Sequence, residues 1–151
     1  SRSNQLDTPS GFAQGAPMGE IKKFVHHGAS QVNMRILEGI HAKLPMLKIE
    51  IAQLNAPKFP HLVEQLEFLA DVIEDFMEGA DKDIPLGAVT EAAFALAYVH
   101  KQADLIPNSL PGIGFADDSS VTRCVLMENE RVLREYAIRA DLDWDAVTVN
   151  P

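Results

Sequence analysis

Asp104, Asp117 and Asp118 are the carboxylates of this chain best spaced to converge on one cation, because they bracket a stretch stiffened by Pro107 and Pro111. Three oxygen ligands held that way would suit Mg²⁺ or Ca²⁺ and would support a metal-assisted hydrolase. A simpler use competes with that chemistry. Asp117 or Asp118 would cap the helix that follows, and Asp104 would accept backbone donors in the turn. Capping is the preferred reading.

Other chemical spacings fail on their own terms. Asp141, Asp143 and Asp145 open like a calcium-binding loop, but Ala146 occupies the required glycine position and the closing glutamate would fall past the last residue. Glu38 and His41 have the Glu-x-x-His spacing of di-iron bundles without a second copy. Gly112-Ile113-Gly114 lacks the third glycine of a dinucleotide loop and follows a helical pattern instead of a strand. His26 and His27 are adjacent, so a helix points them to different sides. His100 could line a site with Asp104 or serve as a dipole partner at a helix end. Cys124, the only cysteine, lies among valines and reads as a buried thiol. No cofactor is expected.

The elements that would position these groups are helical. Leu37, Ile40, Leu44, Leu47, Ile51 and Leu54 recur at spacings of three and four, predicting a helix within 20–55 that Pro45 breaks or kinks. Leu47, Ile49 and Ile51 also alternate as in a strand, but no partner strand is evident. Leu62, Leu66, Leu69, Ile73 and Phe76 predict a second helix ending at Gly79. A third spans 84–102, capped by Asp83, with Pro85 in its first turn and alanines that suit a central, buried position. A last long helix spans 117–139, with Val121, Val125, Val132 and Tyr136 on one face, and a short turn is expected around Trp144. The predicted fold is all-α, a bundle of four to five helices with a Pro/Gly-rich loop between the last two long ones. Residues 1–19 read as a flexible tail and 20–151 as one domain.

The segment from Ala103 to Asp118 resembles the core signature of the YkvA-like family, a bacterial domain of unknown function. Asp104, Leu105, Ile106, Pro107, Pro111, Gly114, Asp117 and Asp118 follow the family's pattern in order. Asn108 departs from its usual Asp, and 101–103 replace its Ser-Pro-hydrophobic lead-in. The resemblance covers roughly 87–126 and implies a small helical module with no established activity. Within it Leu105, Ile106, Leu110, Ile113 and Phe115 are unusually apolar for a connection between helices. They must plug the bundle's end or meet a partner.

Net charge narrows the partners. The formal charge of −9 argues against nucleic acid, which needs a basic face. Eight carboxylates fall between Glu64 and Asp83 against Lys82 alone. They form either a solvated face or a dock for a basic partner. One cysteine, no visible signal peptide and no apolar run near ~20 residues lead to an expected cytoplasmic location. The function stays unknown at this level. A non-enzymatic interaction or scaffold module is favoured, acting on an unidentified protein or on itself, ahead of the loop-carboxylate hydrolase and of peripheral membrane attachment.

Overall fold

A continuous apolar row at spacings of three and four buries one side of a helix, and such rows join most of the described helices around a core. The computed structural model describes residues 18–54, 60–100 and 115–147. Helix α1 (Met18–Ser30) is followed by α2 (Met34–Ala52), α3 (Leu62–Met77), α4 (Leu86–Val99), α5 (Phe115–Glu128), α6 (Glu130–Arg139) and the single turn α7 (Trp144–Val147). Among the described residues there is no strand, and the architecture is an all-α bundle.

Two of the anticipated helices are each divided. The chain breaks at residues 31–33 and not at Pro45, because Asn33 offers a local alternative to the helical ladder. Its side chain accepts the Ile36 N–H at 2.9 Å and caps α2. Pro45 sits inside α2 on the exposed side. On that side the helix tolerates a residue that cannot donate to the ladder. The long helix foreseen over 117–139 instead opens at Phe115 and breaks at Asn129, whose amide donates back to the Val125 carbonyl at 2.9 Å. That break rotates the register: Leu133, Tyr136 and Ala137 are buried on α6, while Val132 is only partly so.

Helix α4 is the axis of the bundle. Ten of its fourteen residues are buried, and it packs on α1, α2, α3 and α5. Its alanines keep the surrounding backbones close. At Gly28 of α1 the Phe94 ring occupies the space a Cβ would need. Phe94 is fully buried, and Phe24 meets both it and Tyr98 edge-on, with centroids 5.5 Å apart in each pair. The N-cap of α4 is Pro85, with no side-chain cap bond, in place of Asp83.

Helix α3 ends as its sequence suggests. Gly79 takes φ +76°, Ala80 N–H reaches the Asp75 carbonyl at 2.9 Å, and Gly79 N–H reaches Phe76 at 3.3 Å. This satisfies carbonyls a helix end would otherwise leave open. The C-terminal elements then fold back onto α3. Phe68 stacks edge-on with Tyr136 of α6 and Trp144 of α7, both at 5.6 Å, and Gln65 donates to the Val147 carbonyl at 3.1 Å.

Candidate functional site

The carboxylates proposed for a cation divide across the described boundary. Asp104 lies outside the described residues, as do Leu105, Ile106, Leu110 and Ile113. The N-terminal tail to residue 17 lies outside them too. The backbones of Phe115 and Asp117 belong to the first turn of α5. Helix α5 opens at Phe115, so the backbones of Asp117 and Asp118 fall in its first turn. Asp118 is buried, and Thr122, fully buried one turn later, donates its hydroxyl to the Asp118 carbonyl at 2.8 Å. Among the described residues, no group of three or more His, Cys, Asp or Glu is arranged to hold a metal ion.

The acidic stretch is drawn inward by its neighbours. Lys48 of α2 reaches Glu74 at 2.7 Å and Asp71 at 3.4 Å. Burial pulls the Lys48 ammonium down in pKa, but the two carboxylates outweigh it and the net shift is upward. Burial pushes Asp71 up against the pull of Lys48. Tyr136 donates to Asp75 at 2.6 Å, and burial together with that carboxylate holds its phenol far above the ordinary range. His41 meets Glu78 at 3.0 Å, pairing α2 with the end of α3. Arg139 donates to Asp81 at 2.8 and 3.2 Å, and that bond keeps the Asp81 carboxyl below its usual value. Part of the stretch therefore ties α2 and α6 to α3 and its C-terminal end, while Glu64, Glu67, Glu78 and Asp83 stay exposed. Exposed pairs of this kind add only about 0–1 kcal/mol each, so their main effect is registration.

A second polar seam joins α1, α4 and α5. His26 lies 3.6 Å from both Glu91 and Glu128, Lys22 lies 3.5 Å from Glu128, and Asn129 donates to Glu91 at 2.9 Å. Cys124 lies beneath it, buried as expected. Burial, with Glu128 and Glu91 adding to it, pushes its thiol up to about 11. A thiol held so far above neutral pH is a poor nucleophile.

His100 closes α4 against α2. Its ring is 4% exposed and lies 3.0 Å from Glu50. Burial lowers its pKa from 6.5, with Glu50 opposing that shift. Between the lowered value and 6.5 the unfolded chain binds more protons than the folded one. The group's contribution is thus present above pH 6.5 and lost as pH falls through the lowered value. The melting temperature is expected to drop as pH falls through 6.5 toward the lowered value, and to drop less in His100→Gln. Equal drops in the two proteins would remove His100 from the cause.

The surface that sequence patterning missed lies on α2. Ala42, Pro45, Met46, Ile49 and Ala52 are exposed, with Ile49 59% and Met46 43% accessible. At 100° per residue they form one row on the side of α2 opposite the buried row of Leu37, Ile40, Leu44, Leu47 and Ile51. The available signal was Ile49 itself, the residue whose phase made 47–51 resemble a strand.

Comparison with known proteins is narrow. No helix among the described residues is long and apolar enough to cross a membrane. No curated protein and no solved structure matches the chain. A family match covers less than a quarter of the 151 residues, within the segment noted for its YkvA-like resemblance. Residues 88–122, from the buried body of α4 to the first half of α5, match the family described as Protein of unknown function (DUF1232).

Proposed function

We propose that this chain is a non-enzymatic interaction module whose contact face is the outward apolar row of α2. The observation that supports it is the exposure of Met46 and Ile49 on a helix whose opposite side is already fully packed. Large apolar side chains set in a contiguous row on an otherwise charged protein mark a surface that gains by being covered. Exposed apolar side chains also occur singly elsewhere, as at Leu86, Met127 and Ile138, whereas on α2 Met46 and Ile49 adjoin Ala42, Pro45 and Ala52 in one row.

Photo-crosslinking in the cells that make the protein tests this. A benzophenone side chain at Ile49 is expected to yield a defined adduct, and the same group at exposed Lys23 of α1 is not. Equal labelling at both positions, or none at Ile49, would contradict the proposal.

A further inference from the structure

We infer that the occupant of the α2 row is the α2 row of a second copy of this chain, packed antiparallel about a two-fold axis between Pro45 and Met46. This rests on the interaction reading and names its partner. The argument is the self-complementarity of the row. An isologous contact requires each residue to meet its counterpart across the axis. Reversing α2 about the point between 45 and 46 sets Ala42 at the height of Ile49 from the other copy, a small residue against a large one. The same operation sets Met46 level with Pro45 of the other copy, within one residue's rise, about 1.5 Å, of its Met46, and Gly39 level with Ala52.

The polar margin obeys the same operation. Glu38 comes level with Gln53, whose amide can donate to it. Lys43 and Glu50 share one flank of the row, so each copy's ammonium comes within about two residues' rise, roughly 3 Å, of the other copy's carboxylate level. Glu50 retains 43% exposure while holding His100 with one oxygen, which leaves its other oxygen for that contact. Like charges would have met there had Glu50 been lysine, and a heterologous partner would have no reason to mirror the row. From residue 38 to 53 the contact is about 22 Å long and one helix wide. That falls short of the roughly 800 Å² per partner of a standard interface. The association is therefore weak and concentration-dependent.

The test uses the full chain. Sedimentation equilibrium is expected to show the weight-average mass rising from 16.6 kDa toward twice that value with concentration. Ile49→Glu, at a position already 59% exposed, keeps the fold and holds the mass at the monomer value. Met46→Cys, next to the axis, forms a covalent dimer with oxidised glutathione, while Arg35→Cys, about 15 Å further along α2, does not. Buried Cys124 does not compete. A monomer at every concentration, a dimer that survives Ile49→Glu, or cross-linking at Arg35 in preference to Met46 overturns the inference. The adduct at Ile49 separates the two claims. An adduct to a different protein overturns self-pairing and leaves the interaction reading standing, whereas absence of any adduct removes both.

Discussion

Gly28→Ala is expected to destabilise the protein by about 3 kcal/mol, the upper end of the usual range for overpacking. At this chain length that corresponds to a loss of roughly 6–12 °C in melting temperature. The sign is the informative part. In an open helical site, alanine gains about 1 kcal/mol over glycine. Gly87, where a Cβ would meet nothing within 4 Å, should show that gain. At Gly28 the new methyl would sit 2.1–2.4 Å from three atoms of the Phe94 ring. The ring cannot swing away, because it is fully buried and enclosed by Phe24 and Tyr98. Adding Phe94→Leu removes the obstructing ring edge, so the double variant should be less destabilised than the two single effects summed. Denaturant unfolding of the four proteins measures this. A Gly28→Ala variant as stable as the parent would mean that α1 and α4 are further apart than described.

Phe68→Ala is expected to cost about 3–5 kcal/mol, as for other buried aromatics cut to a methyl. Its ring carries the edge-on contacts of both Tyr136 and Trp144, so its loss loosens α6 and α7 from α3 together. Trp144 is the only tryptophan and is partly buried against the core, which gives a local reporter. Its emission should shift to the red under native conditions, before global unfolding begins. Phe68→Leu should retain most of the stability and the parent spectrum. Unchanged emission in Phe68→Ala would show that α7 does not depend on this ring.

Buried faces were legible from periodicity, whereas boundaries depended on single residues. Most of the rows of α2 and α3 followed from apolar spacing of three and four, which reports which side meets the core. Leu54 and Phe76 are only partly buried, however, and Phe68, Ala70 and Val72 widen the buried side of α3 beyond its row. The breaks did not follow from spacing, because Pro45 is the louder signal and Asn33 the effective one: a cap bond at 2.9 Å determines where α2 begins. Asn129 acts similarly between α5 and α6. Gly79 announced the end of α3, but α6 ends the same way at Asp141 (φ +59°), with Leu142 N–H reaching the Ala137 carbonyl at 2.8 Å. A left-handed aspartate carries no such announcement.

The site was less legible, for two physical reasons. A second apolar phase on one helix blurs periodicity instead of adding to it, and Ile49 of the outer row registered only as part of a strand-like alternation over 47–51 that was set aside in favour of helix. The carboxylates between Glu64 and Asp83 looked like a free acidic surface because their partners Lys48, His41, Tyr136 and Arg139 come from distant parts of the chain. Only tertiary structure brings them together. The apolar loop residues Leu105, Ile106, Leu110 and Ile113 and the carboxylate Asp104 lie outside the described residues. Their expected roles are carried neither forward nor back.

We propose a division of labour in which α4 is the structural axis and the outer side of α2 is the contact face. Native-state amide hydrogen exchange at high protein concentration tests it most directly. Amides 92–98 of α4 are expected to exchange only through global unfolding, and the α2 amides around 46–49 to slow as concentration rises. Fast exchange in α4, or α2 exchange that does not change with concentration while α4 responds, would contradict it.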